Sequence, residues 1–338
     1  MSAILTSVPV NRHPQQQQQE AAPFTVIGPR DQGEAYWVQQ ELLEFFVTRE
    51  QTGGAYDALR LTVGPGGGPP PHLHRHEDEL FYVIAGQFEF QLGEESIRGG
   101  PGTCLFLPRN VIHRFQNVGE TTGSVVIVAT PSGFADFVRE AGEPAVDREI
   151  IPAFNPAGLP KLAEVCERFD IPLLPDRVAT RPAANPPAKP RELWVIGLHV
   201  KQLLTAEQTA GQMSVAELTV YPGDFVPPHL HKVEDEMFYV VDGTVWFEVG
   251  GESITATAGT FVRVRRGVMH SFRNIGSRPA KIADYHTPGG FEKFFEAAGV
   301  ECEDIRQGPP NVVPNFARFA MICHDHGMEL GEMTPLVV

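Results

Sequence analysis

Cysteine is scarce: four residues in 338, at Cys104, Cys166, Cys302 and Cys323. None of them form a C-x-x-C pair, which excludes a zinc ribbon or a thioredoxin-like redox motif. A chain this long does not need a disulfide framework, so the four read as buried thiols in a reducing compartment. Positive charge is also short, with 27 Lys and Arg against 42 Asp and Glu and a formal net charge of −15. Such a chain repels polyanions on average, so nucleic acid and anionic membrane surfaces are excluded as expected partners. No apolar run approaches the ~18 residues of a membrane span. The N-terminal stretch lacks the charged and apolar regions of a signal peptide. These absences together lead us to expect a soluble, cytoplasmic protein.

What the chain has in excess is turn formers. Gly 33 and Pro 30 make up close to a fifth of the residues, spread between short apolar segments rather than gathered into one tract. That spacing is expected of many short strands joined by tight turns. Expected strands include 80–84, 88–92, 103–107 and 125–129, then 237–241, 245–249, 260–264 and 280–285, with Gly86 and Gly243 at hairpin turns. Helices are expected over 133–141, 159–169, 290–298 and 316–326. Their phenylalanines (Phe134 and Phe137, then Phe291, Phe294 and Phe295) are read as core packing.

The strongest signal is an internal repeat. His72-Leu73-His74 returns as His229-Leu230-His231, 157 positions later. The same offset carries Trp37 to Trp194, Glu79 to Glu236, Gly86 to Gly243, Gly102 to Gly259, His113 to His270, Asn117 to Asn274 and Cys166 to Cys323. A register held over this length without a gap means a duplicated domain. We therefore expect a Gln-rich disordered tail over 1–22, a first domain over 23–174, a Pro-rich linker over 175–192 and a second domain over 193–338.

Each copy carries a donor set suited to a metal. His72 and His74, two apart on a strand, point to one face; Glu79 opens the next strand, and His113 ends a later one. His229, His231, Glu236 and His270 repeat the arrangement. Three imidazoles and a carboxylate suit a divalent transition metal, one per domain: Fe, Mn, Ni, Co, Cu or Zn. Four protein donors leave a position open for substrate or water. Glu77 and Asp78 flank Glu79, and Glu234 and Asp235 flank Glu236. Only one carboxylate per copy is expected to reach the metal, leaving the others facing solvent or bonded to the histidines. His76 is read as an exposed turn residue, and His199, His286, His324 and His326 as structural or surface residues.

The residues spell out a known pattern. Gly66, His72, His74, Glu79 and Gly86 resemble the first motif of the cupin superfamily, and Gly223, His229, His231, Glu236 and Gly243 resemble it again. Gly102, Pro108, His113 and Asn117 resemble the second motif, with Asn110 where glycine is usual. Gly259, Gly267, His270 and Asn274 do so too, with Arg265 in the proline position. The resemblance implies an all-β protein of two tandem double-stranded β-helix barrels with a few flanking helices, and a metal held by each set of four. Length and the segments Thr130 to Phe134 and Thr287 to Glu292 resemble quercetinase-like bicupins.

That likeness implies a metal-dependent dioxygenase cleaving a flavonol-like or other enolic aromatic substrate. Glu79 and Glu236 would act as catalytic bases, dioxygen as co-substrate, and Phe81, Phe90 and Phe115, or Phe238, Phe247 and Phe272, as candidate walls. The alternatives are another metal-dependent cupin enzyme (an isomerase, a lyase or a small-acid oxidase) or a non-enzymatic small-molecule-binding bicupin. Arg263, Arg265 or Arg266 facing a barrel interior would clamp a carboxylate or phosphate and favour the former. Beyond the small-molecule substrate, the expected state is a monomer or homodimer.

Overall fold

Two burial patterns recur along the strands. Phe88–Leu92 buries Phe88, Phe90 and Leu92 and leaves Glu89 and Gln91 partly exposed, the period-two pattern of a sheet with one wet face. Asp78–Ala85 and Gly123–Thr130 are buried along nearly their whole length, as strands are when both faces meet other layers. In the computed structural model, which describes residues 22–29, 33–175, 190–310 and 315–332, both patterns have a simple origin.

The first half forms a seven-stranded sheet in the order Glu143–Pro144, Ala35–Val38, Glu41–Val47, Asp57–Val63, Gly123–Thr130, Asp78–Ala85, Cys104–Leu107. Facing it are Glu95–Gly99, Phe88–Leu92 and His113–Asn117. Phe81 and Val83 point into the barrel with Phe88, Phe90 and Phe115. Their alternates Leu80 and Tyr82 point the other way, into a third cluster shared with Met237, Tyr239, Phe261 and Tyr285 of the second half. The two large sheets thus pack back to back, and Phe46 stacks on Phe261 at 4.6 Å between ring centroids.

The second half repeats the plan. Its large sheet runs Phe24–Ile27, Phe261–Val264, Asp235–Asp242, Ala280–Thr287, Ser214–Val220, Leu198–Leu204, Glu192–Val195, Val300–Glu301. Facing it are Glu252–Thr257, Thr244–Val249, His270–Asn274, Phe225–His231 and Met328–Leu330. Helices Phe134–Ala141, Leu159–Arg168, Glu292–Ala298 and Phe316–Asp325 stand within one or two residues of expectation, and the phenylalanines of the Phe134 and Glu292 helices join the two barrel cores. The chain is all-β in class, with two barrels and few helices.

One boundary differs. Phe24–Ile27, expected to begin the first barrel, pairs antiparallel with Phe261–Val264 of the second, Phe24 opposite Val264 and Ile27 opposite Phe261. An exposed strand edge carries unpaired N–H and C=O groups, and this segment covers the one on Phe261–Val264. The tail over 1–22 and the linker over 175–192 lie, except for their boundary residues, outside the described residues.

The motif asparagines close a turn in each barrel. Asn117, fully buried, donates from Nδ2 to the carbonyls of Val63 and Thr121, both at 2.9 Å, and accepts at Oδ1 from Gly119 N at 3.0 Å. Asn274 makes the same three bonds with Val220, Arg278 and Gly276. Asn117→Ala strips the partner from the buried Val63 carbonyl, while the Gly119 and Thr121 groups can turn to water, and a loss of roughly 1–3 kcal/mol is expected, the cost of one buried unsatisfied group. Urea unfolding of the variant checks this; a midpoint within error of the parent would refute it.

Candidate metal centres

Backbone pairing sets the first donors. His72 N donates to His113 O at 3.0 Å, and His113 N donates to His72 O at 2.8 Å, so the two residues sit directly opposite with rings 4.5 Å apart. His113 opens its strand rather than ending it as expected, which puts its ring beside the segment that carries His72 and His74. Glu79, on the neighbouring sheet, brings Oε2 to 3.3 Å from His74 Nε2 and 3.1 Å from His113 Nε2. All four donor atoms lie within 4.8 Å of one another, and all four residues are buried.

The outward nitrogens are tied down. His72 Nδ1 lies 2.9 Å from the Pro70 carbonyl, and His113 Nδ1 2.9 Å from that of Val111. A carbonyl only accepts, so each Nδ1 carries the proton and each Nε2 turns its lone pair to the common point. His74 Nδ1 faces Glu77 Oε2 at 3.6 Å. Burial, then the neighbouring imidazoles of His113 and His74, hold His72 well below its ordinary range and so neutral. Burial alone would raise Glu79, but the imidazoles of His74, His113 and His72 outweigh it and hold the carboxyl at about 2. Buried imidazoles gathered around one carboxylate are the donor chemistry of a divalent cation.

The second centre repeats this geometry. His229 Nδ1 faces the Pro227 carbonyl at 2.9 Å and His270 Nδ1 that of Val268 at 3.0 Å. Glu236 Oε2 lies 3.1 Å from His231 Nε2 and 2.7 Å from His270 Nε2. His231 Nε2 is buried without an aligned hydrogen-bond partner, as an imidazole aimed at a metal position would be. The residues fit such an ion in both barrels.

The motif departures leave both sites intact. Asn110 adopts φ +65°, as Gly267 adopts +80° at the equivalent turn, and the two backbone N–H groups donate to His74 O and His231 O, each at 2.7 Å. Asparagine is among the few residues that enter this left-handed region at modest cost.

Here the two barrels diverge. Strand Ala280–Thr287 places Asp284 and His286, both 1% exposed, where the first barrel has Ile127 and Ala129. His286 Nε2 lies 3.3 Å from Glu236 Oε1, and its ring stacks on Phe291 at 4.0 Å. Burial and then the Glu236 carboxylate push Asp284 well above the ordinary carboxylate range. His286, expected to be structural or on the surface, therefore belongs to the second centre. The chain does carry a signal for it: within the duplication, a polar pair two apart replaces two apolar residues of an inward-facing strand. A small, partly open apolar cavity also opens on this centre. Its wall includes His229, Glu236, Asp284 and Phe272 and the helix residues Phe291 and Phe295. Phe291, Phe294 and Phe295, read as core alone, thus also line this space. Phe81, Phe90, Phe115, Phe238 and Phe247 are core residues.

Other expectations are corrected. Of the two readings for the flanking carboxylates, the solvent-facing one fails: Glu77, Asp78, Glu234 and Asp235 are all buried, and Glu77 and Glu234 face the imidazoles of His74 and His231 at 3.6 and 3.7 Å. Asp78 accepts from Arg109 N at 2.7 Å and from its Nη2 at 2.7 Å, which ties the Glu79 strand to the turn delivering His113. Asp235 accepts likewise from Arg266 N and Nε. Arg263, 1% exposed, does not reach the metal position: it donates to Tyr56 Oη, Asp235 Oδ2 and Ala22 O between the barrels. An ionic group this deep needs a partner, and Asp235 supplies it there. His76 is exposed and meets Asp170 at 3.0 Å. Cys104, Cys166 and Cys323 are buried free thiols, whereas Cys302 is partly exposed.

Comparison with known proteins agrees with the duplication. A cupin domain model matches residues 59–129 and again 216–286. Quercetin 2,3-dioxygenase of Bacillus subtilis (strain 168) is 24% identical over 292 residues, covering 79% of this chain and 84% of that protein. Among solved structures, a point variant of Bacillus subtilis oxalate decarboxylase superposes with a TM-score of 0.54 at 17% identity, covering 91% of this chain and 89% of the other. An 11S globulin from Wrightia tinctoria superposes with a TM-score of 0.54 at 12% identity, covering 80% and 85%. At these identities the structural likenesses show a shared fold. Among the described residues, no helix is long and apolar enough to cross a membrane.

Proposed function

The chain carries two cupin domains, and from that premise we propose that it is a metal-dependent dioxygenase of flavonol-like or other enolic aromatic substrates, with turnover centred on the second barrel. The observation that carries this reading is the cavity on His229 and Glu236. Its wall is apolar and aromatic, and it includes no Lys or Arg. Flat aromatic ligands are held by such walls with a few converging polar groups. A small dicarboxylate would call for a guanidinium or ammonium partner, and the guanidinium groups of Arg263 and Arg266 are engaged with Asp235 instead. The relation to a quercetin 2,3-dioxygenase over most of both chains supports the same reading.

His229, His231, His270 and Glu236 would hold the metal, and His72, His74, His113 and Glu79 its counterpart in the first barrel. When bound, the metal supplies Lewis acidity that favours ionisation of a substrate hydroxyl. Glu236 is placed to receive that proton at its carboxylate, while His286 faces its other oxygen and Asp284 lies beside the pair, and together they limit how far it swings. Phe291 and Phe272 orient the ring and exclude water. The test is oxygen uptake and flavonol loss with metal-reconstituted protein across a flavonol panel. Consumption of both in equal amounts is the expected result. No uptake and no flavonol loss, with the metal content verified, would end this reading.

A further inference from the structure

Outside the two barrel centres, a third cluster joins three strands at the outer edge of the second sheet. Glu192 and His199 lie on the paired strands Glu192–Val195 and Leu198–Leu204, and Cys302 follows Val300–Glu301, which pairs with the other side of Glu192–Val195. Cys302 N donates to Glu192 O at 2.9 Å. His199 Nε2 lies 2.9 Å from Glu192 Oε2, and one donor atom from each of the three residues falls within 4.8 Å of the others. His199 is 5% exposed, whereas Glu192 and Cys302 are partly open to solvent.

The duplication provides an internal control. The first barrel has the same three strands, with Ala145 N donating to Ala35 O at 2.8 Å and Trp37 opposite Leu42 as Trp194 is opposite His199. At the three positions in question it carries Ala35, Leu42 and Ala145. The scaffold therefore does not require polar residues there, and all three have become donors in the second barrel, one O, one N and one S. Trp194 is kept. Its ring lies 5.4 Å from the His199 ring, and its indole N–H bonds toward the Cys302 sulfur.

We propose that Glu192, His199 and Cys302 form a third metal site, distinct from the barrel centres, that takes zinc with water as the fourth ligand. Thiolate and imidazole together select zinc among common divalent ions. With bond lengths of about 2.0–2.3 Å, tetrahedral donors stand roughly 3.3–3.8 Å apart, so closing the cluster needs only side-chain adjustment. On binding, Cys302 loses its thiol proton to solvent as the S–Zn bond forms, with no change of oxidation state. The site clasps the last three strands of the large sheet, where the first barrel relies on aliphatic contact.

Cobalt(II) tests this, because neither barrel centre contains sulfur. The full chain is stripped with chelator, kept reduced and titrated with Co(II). We expect an intense thiolate-to-cobalt charge-transfer band in the near ultraviolet, saturating at one equivalent, beside the weaker visible bands of the barrel centres. Cys302→Ser should abolish the near-ultraviolet band and keep the visible ones. His199→Leu, which installs the first barrel's own residue, should weaken cobalt binding at this site at least about tenfold without loss of fold. Absence of the band in the parent protein would overturn the proposal, as would a band that persists in Cys302→Ser or is undiminished in His199→Leu.

Discussion

His231→Ala is expected to lower turnover by at least about 100-fold, whereas His74→Ala, its counterpart in the first barrel, leaves turnover within about twofold. Both variants remove one of three imidazoles around a carboxylate, and each should cost about one equivalent of bound metal. They differ in what surrounds the metal position. Around the second, an apolar cavity reaches His229 and Glu236, and Asp284 and His286 crowd the far side of Glu236. Around the first, Ile127 and Ala129 occupy the equivalent wall, and both join apolar packing. Metal content by elemental analysis and steady-state oxygen uptake, measured on the same samples, separate the two roles. Should His74→Ala silence the enzyme while His231→Ala spares it, turnover belongs to the first barrel instead. Equal losses in both would mean that the barrels work together.

Asp235→Ala should be the most destabilising single change between the barrels, at about 3–5 kcal/mol. The substitution leaves the Arg263 guanidinium, 1% exposed, with only Tyr56 Oη and the Ala22 carbonyl. A buried charge without its counter-ion carries most of its desolvation cost uncompensated. Arg263→Phe should be much milder, under about 2 kcal/mol, because the first barrel already places Phe106 there, and Asp235 keeps its bonds from Arg266. Urea denaturation of the two variants side by side provides the comparison; Asp235→Ala within about 1 kcal/mol of the parent would show that the pair adds little.

A pH signature accompanies the ion pair. Burial opposes ionisation of Asp235, but hydrogen bonds from Arg266 and the Arg263 charge outweigh it and lower its pKa. A group depressed in the folded state stabilises fully above its unfolded pKa, near 3.9. That contribution is lost as pH falls through the folded value. Stability should therefore drop on acidification below about pH 4, and by less in Asp235→Ala.

Much of the fold and of both barrel centres is legible in the order of the amino acids. The constant offset between His72 and His229, Glu79 and Glu236, and His113 and His270 identifies the duplication and both donor sets, because ligands and turn glycines sit at fixed distances along the chain. Strands such as Phe88–Leu92 and helices such as Leu159–Arg168 follow from local periodicity. Asn110 departs from the motif in residue type, yet it takes the same left-handed backbone as Gly267.

What local pattern does not supply is which residue from the other half lies against each face. Tyr82 and Phe81 read alike in sequence, yet Phe81 fills a barrel and Tyr82 fills the interface. Arg263 has the chemistry of an anion clamp and is an inter-barrel ion, while His286 reads as a structural residue and faces Glu236. Phe24–Ile27 precedes the first barrel but completes a sheet of the second. The repeat, the barrel class and the eight candidate ligands follow from spacing and composition along the chain and from the constant offset between its halves, so the linear chain is enough to point to them. How the copies differ, and which surfaces they share, emerges only in three dimensions. A side chain's role there depends on a partner as far off in the chain as Arg263 is from Tyr56, brought close only when the two sheets pack.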